Sequence, residues 1–243
     1  MQQKGIHVPS QTPKLLCKLL TLISKVKPDR LVIVGDVKYT VVSREFGEWQ
    51  DIPDFFHKLE SVVGEISVVR GNHDANLEPM LTEKINLLPA SGAVIGDVGV
   101  FHGHKWPSPE LLSCKTLVMG HLHPVVVFRD PAGFKLTRQV WMKVACNTEM
   151  LTRVLLQKNN VKIAGSLQET LWEKYKIKPK SSELFIMPSF NDFLGGRPIN
   201  EARLGDESLI GPVLRSDAVD VGNSEIFMLD GTYLGVLSKL KTE

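Results

Sequence analysis

Arg30-Leu31-Val32-Ile33-Val34, followed at once by Gly35-Asp36, reads as a strand that ends in a turn carrying a carboxylate. The unbroken aliphatic run matches a strand buried on both faces, as in a parallel sheet, and Gly-Asp is a strand-to-loop exit. The pattern recurs three times downstream. Residues 66–70 run into Gly71-Asn72-His73-Asp74, residues 98–101 into His102-Gly103-His104, and residues 116–119 into Gly120-His121-Leu122-His123. Each apolar segment therefore delivers an Asp, Asn or His to a loop. In a parallel sheet such ends lie along one edge, where open α/β folds place their sites.

Working outward, Thr12 can cap a first helix with Pro13 at its first position, and Leu15, Leu19, Leu22 and Val26 share one face. Pro28-Asp29 ends that helix. A second helix is expected over 53–62, a strand over 66–69, and a hairpin over 93–101 turning at Gly96-Asp97. Ser108-Pro109-Glu110 marks a further helix start. After Pro124 the pattern becomes mostly strand, over 125–129, 134–144, 183–188, 224–229 and 232–237, with turns at 130–133 and Asp230-Gly231. Alternating strands and helices, then strands, predict a layered α/β protein with two sheets packed face to face, in a single domain over 1–243.

Composition agrees. The chain has 243 residues, 43% hydrophobic and 23% charged, which excludes a disordered chain, a collagen-like repeat and a coiled coil. A formal charge of +2 is too small to advertise nucleic-acid binding by itself. Lys38, Lys105, Lys135 and Lys143 could form a basic rim or simply a solvated surface. No apolar run spans a bilayer, the N-terminus has no signal-peptide core, and Cys17, Cys114 and Cys146 lack CxxC spacing. A cytoplasmic protein with reduced thiols and no membrane partner is expected.

Five of the seven histidines lie between residues 73 and 123. Carboxylate, amide and imidazole donors without thiolate suit Mn, Fe or Zn better than a structural zinc site. Asp36 can bridge two cations. His121 and His123, two apart on an extended segment, would splay to opposite sides and serve different metals. Each piece alone also has an ordinary explanation: Gly-Asp and Asn-His-Asp are common turns, and His102 could be a satisfied core histidine. Two imidazoles in Gly-His-Leu-His have no obvious packing purpose, and the ordered set of four makes coincidence a poor account.

This ordered set resembles the calcineurin-like metallophosphoesterase superfamily, whose blocks run DxH, GD, GNH[DE], HG and GHxH. Four of the five are present: Gly35-Asp36, Gly71-Asn72-His73-Asp74, His102-Gly103 and Gly120-His121-Leu122-His123. Further similarity, to the archaeal and bacterial ICC-like branch related to the ligase-associated DNA-repair phosphoesterase, lies in Gly103-His104-Lys105-Trp106-Pro107, Trp141 and Met187-Pro188-Ser189-Phe190-Asn191 with Gly195-Gly196. The resemblance implies a four-layer fold, two mixed β-sheets packed face to face and flanked by helices. It also implies two divalent cations, Mn first, with Fe, Zn, Ni or Mg as alternatives. Asp36 would bridge them, Asn72, His102 and His121 would complete one, and His123 would bind the other. His73 would act on the leaving oxygen with Asp74 orienting its ring. His104 would face the ligands or substrate, or only pack.

The implied activity is hydrolysis of phosphodiester or phosphomonoester bonds, in DNA, RNA or nucleotides, by in-line attack of a metal-bridging hydroxide. The DxH block is absent; His7 is preceded at position 5 by glycine and leads into the first helix. The expectation is that the first strand and its two ligands lie upstream of an assigned start that is too far downstream. The alternative is a truncated, non-catalytic scaffold that binds a partner or nucleic acid.

Overall fold

A computed structural model describes residues 10–38, 46–201 and 210–240; His7 lies outside the described residues. Helix α1 (Thr12–Val26) opens on Pro13, where a missing N–H costs nothing. It closes on Lys27, whose left-handed backbone lets its N–H donate to the Ile23 carbonyl at 2.7 Å. Its N-cap is Gln11 without a side-chain bond, so Thr12 is the first helical residue and not the cap expected.

The buried face of α1 also differs from the stripe expected. Leu16 and Ile23 are buried with Leu19 and Leu20 beside them, whereas Leu22 and Val26 are 43% and 71% exposed. Apolar residues run around more than half of this helix, so spacing alone admits two stripes. The packing partner decides: Ile52, Phe56 and Leu59 of α2 (Phe46–Glu60) receive the Leu16–Ile23 side. Helix α2 begins well before Pro53, which sits inside it rather than at its start.

These helices cover a three-stranded, all-parallel sheet of β1 (Arg30–Ile33), β2 (Glu65–Val69) and β3 (Ile85–Leu88), in that order. β3 was not legible in the sequence. Strand β1 is half-buried rather than covered on both faces, because among the described residues it lies at the sheet margin. Phe56, Leu59, Val68 and Leu77 form the centre of this core.

A nine-stranded mixed sheet carries the second core. β4 (Ala93–Ile95) and β5 (Val98–Phe101) form the expected hairpin. Next come a short 3₁₀ turn (Pro109–Ser113), β6 (Thr116–Met119), β7 (Pro124–Arg129) and β8 (Lys135–Cys146). Two helices follow where mostly strand was expected: α3 (Thr148–Lys158), capped by Asn147, and α4 (Leu167–Tyr175), opened by a Ser166/Glu169 capping box. β9 (Glu183–Ile186), β10 (Arg197–Pro198), β11 (Val219–Met228) and β12 (Tyr233–Val236) complete the order β10-β7-β8-β9-β6-β5-β4, with β11 on β8 and β12 on β11. Val140, Met142, Val144, Leu184 and Ile186 bury one sheet face under Leu151, Leu155, Leu156 and Leu171.

The four loops singled out by the sequence thus follow β1 and β2 of the small sheet and β5 and β6 of the large one. They are not along one edge of a single parallel sheet; ends from two sheets meet. No described helix is long and apolar enough to cross a membrane.

The α1 assignment is checked by paired truncations. Leu16→Ala should destabilise by about 2–5 kcal/mol, whereas Leu22→Ala should stay within about 0.5 kcal/mol, read by urea unfolding. Equal losses would mean that the buried face is misplaced.

Candidate metal centre

The first two loops are locked together by exchanged hydrogen bonds. Asp74 is fully buried, and its carboxylate accepts backbone N–H bonds from Gly71 (2.7 Å), Asp36 (2.8 Å) and Lys38 (3.1 Å). In return, Asp36 Oδ1 accepts the His73 N–H at 3.0 Å. The approach demands glycine. A Cβ on Gly71 would collide with the Asp36 carboxylate, and one on Gly35 would lie 2.5 Å from His102 Nδ1 and 2.9 Å from Gly71 Cα.

The expected role of Asp74 needs correction. Its oxygens are taken up by loop N–H groups and not by the His73 ring, whose Nδ1 is buried without a hydrogen-bond partner among the described residues. Burial raises the Asp74 carboxyl above its usual range, with the Asp36 charge adding to it, although the three N–H donors pull the other way.

The large sheet supplies imidazoles from the other side. His102, 1% exposed at the end of β5, donates from Nδ1 to the Val34 carbonyl at 2.7 Å. That bond turns Nε2 towards Asp36 Oδ2 (3.3 Å) and Asn72 Oδ1 (3.1 Å). After β6, Leu122 is buried in the large core between His121 and His123, so the hydrophobic anchor holds both imidazoles at the surface of that core. The two histidines are not extended as expected. Their φ angles are 50° and 49°, and that of Asp36 is 54°, left-handed values that cost non-glycine residues roughly 1–2 kcal/mol each. Strain of this kind gathers at functional sites.

Asp36, His102 and His121 converge so that one ligand atom from each lies within 4.8 Å of the others. Although burial opposes ionisation, His102 and the His73 N–H bring the Asp36 carboxyl down to about 2. His102 is moved the opposite way: burial disfavours its charge, but Asp36 beside Nε2 outweighs this and raises it. Burial, helped by the positive charge of His102, pushes His104 and His121 each down to about 4, and His123 in the same direction. Near neutral pH the centre therefore offers an ionised carboxylate at Asp36 and uncharged imidazoles at His104 and His121.

The donor set fits a divalent ion on two further counts. The oxygens of Asp36 and Asn72 crowd about His102 Nε2, an arrangement that favours a proton or a cation there. Among the described residues, the two buried side-chain atoms left without a partner, His73 Nδ1 and His104 Nδ1, belong to histidines of these same loops. His123 stands close enough to feel Asp36, His102 and His73. The first residue of β10 also reaches the centre, because the Arg197 N–H donates to the His123 carbonyl at 2.9 Å. Sequence reasoning noted the Gly195-Gly196 pair but could not tie it to His123, because a main-chain contact leaves no side-chain signature. Three of the four lysines are engaged: Lys38 Nζ binds the Ala75 carbonyl, while Lys135 pairs with Glu201 and Lys143 with Glu183 and Glu225.

No curated protein matches the chain. Among solved structures it is similar to the nuclease MPE of Pseudomonas putida, with a TM-score of 0.47 and 17% identity over 89% of this chain and 75% of that one. It is also similar to Yfce, a phosphoesterase from E. coli, with a TM-score of 0.33 and 22% identity over 48% of this chain and 67% of that one. A family model for calcineurin-like phosphoesterases matches residues 6–164, a span that contains all four loops described above, and the chain belongs to that family.

Proposed function

We propose that this chain is a hydrolase of phosphodiester or phosphomonoester bonds that works with two divalent cations, manganese first among them. The observation that carries the reading is the meeting of Asp36, His102 and His121 from two different sheets. Asp36 would stand between the cations, Asn72, His102 and His121 would hold one, and His123 the other. When bound, such ions lower the pKa of water and offset charge on phosphoryl oxygens.

The protein's own groups supply the rest. Hydrogen bonding of His102 to the Val34 carbonyl selects the ring nitrogen that faces Asp36 and Asn72. His73, placed by its N–H on Asp36, presents an imidazole to protonate the departing oxygen, a role worth roughly 10²–10⁴ in rate. Asp74 positions both loops without touching substrate. Ester groups of DNA, RNA or nucleotides are the substrate class, and the centre reads the phosphoryl group they share.

The test is hydrolysis of bis-p-nitrophenyl phosphate with added Mn²⁺, alongside metal analysis. Asp36→Asn and His121→Gln should lower bound metal and abolish turnover. His73→Gln should lower kcat by at least about 100-fold with metal content unchanged. A wild-type chain that takes up no divalent ion, or takes it up without hydrolysing any phosphoester, would favour the non-catalytic scaffold instead.

Asp74→Asn provides a separate check on positioning. It should weaken metal affinity by about 10–100-fold and cost at least about 2 kcal/mol of stability, because the three loop N–H groups lose their charged acceptor. Retention of wild-type affinity would remove Asp74 from this role.

A further inference from the structure

We propose that Gly196 and Gly211 are positioning residues for the metal centre: at these two points bare main chain clamps the strained turn that carries His121 and His123. The inference rests on the phosphoesterase reading, because it concerns donors of that centre.

The turn needs holding. Both histidines have left-handed backbones, with φ of 50° and 49°, and such strain persists only where the surroundings over-determine the path. Burial of Leu122 fixes the middle of the turn. The two ends, which carry the imidazoles, are closed by segments far along the chain.

At His123 the closing segment is the entry to β10. The Arg197 N–H donates to the His123 carbonyl and the Ile199 N–H to the Val125 carbonyl, each at 2.9 Å, so the two stretches run as paired strands. Gly196 stands one residue earlier, where no side chain fits. A Cβ there would collide with the His123 carbonyl oxygen and with Val125 Cγ1. Gly196 has no left-handed φ, so close approach alone requires the glycine.

At His121 the closing residue is Gly211. A Cβ there would collide with the Gly103 carbonyl oxygen and lie 3.7 Å from His121 Cδ2. Gly103 is bare towards the same histidine, since its own Cβ would lie 3.3 Å from His121 Cβ. Gly211, Gly103 and His121 are thus layered, with no side chain between the two glycines. A glycine that serves only to make a turn has open space around it. Gly231 is such a case: its φ is 89°, close to the 95° of Gly211, and nothing lies within 4 Å of its Cβ position. A methyl group at 196 or 211 must instead push aside the main chain of the centre. Donors there have to be held within about 0.5 Å to bind well.

Co²⁺ titrated against a competing chelator reports affinity, and its visible bands report donor geometry independently of turnover. Gly196→Ala and Gly211→Ala should each bind about 10- to 100-fold more weakly, with altered bands. Gly231→Ala carries the backbone penalty of Gly211→Ala without the collision, and should match wild type in both measures. Wild-type protein gives a second reading without any variant. Coupling is reciprocal, so Co²⁺ should slow hydrogen exchange at the Arg197 and Ile199 amides by at least about 10-fold. The Lys176 amide, bonded to the Trp172 carbonyl at the end of α4, should be unaffected.

Wild-type affinity and bands in either alanine variant, or Arg197 and Ile199 amides that ignore Co²⁺, overturn the proposal. A loss in Gly231→Ala equal to that in Gly211→Ala assigns the effect to backbone strain and overturns it as well. If a variant does not fold, exchange in the wild type decides. A wild-type chain that binds no Co²⁺ sinks the phosphoesterase reading together with this one, whereas binding indifferent to both glycines sinks only the clamp.

Discussion

A single buried carboxylate, that of Asp74, bears the constraint on which the centre depends. Removing it from water is costly, and the cost is offset only because three N–H groups from two loops point at it. Asp36 repeats the arrangement in reverse by accepting the His73 N–H. The loops after β1 and β2 are therefore each other's hydrogen-bonding partners, and neither can adopt its path alone. The glycine requirement at positions 35 and 71 and the left-handed backbone of Asp36 follow from that mutual embrace.

The opposite wall is built on another principle. His102 is oriented by a carbonyl of the small sheet, whereas His121 and His123 are oriented by the burial of Leu122 between them. One wall is thus positioned by polar exchange and the other by hydrophobic anchoring. The electrostatics match this division. Asp36 is surrounded by donors and stays ionised, while the imidazoles sit against apolar surroundings that keep most of them uncharged.

Much of this was legible in the residues. The strands ending at Gly35, Gly71, His102 and Gly120 were readable because aliphatic runs meet glycine or histidine abruptly, and the hairpin at Gly96-Asp97 because its turn chemistry is specific. What escaped has physical causes. The stripe on α1 was ambiguous because apolar residues cover most of its circumference, and only contact with Phe56 and Leu59 selects a side. Helices α3 and α4 lay hidden among strand-like segments, although Asn147 and the Ser166/Glu169 pair were available as start signals. The use of Asp74 was invisible because its partners are main-chain N–H groups, which leave no trace in residue identity. The backbone of His121 and His123 was misjudged because the strand pattern was carried past the point where β6 ends.

The two hydrophobic cores are separate clusters, one beneath α1 and α2 and one beneath α3 and α4. The donors divide along the same line: Asp36 and Asn72 belong to the first half, His102, His121 and His123 to the second. An ion seated among them would be a rivet between halves that, among the described residues, share no continuous oily interior. Occupancy and mechanical cohesion would then become one property, and a chelator would act on the whole body of the protein as well as on its chemistry.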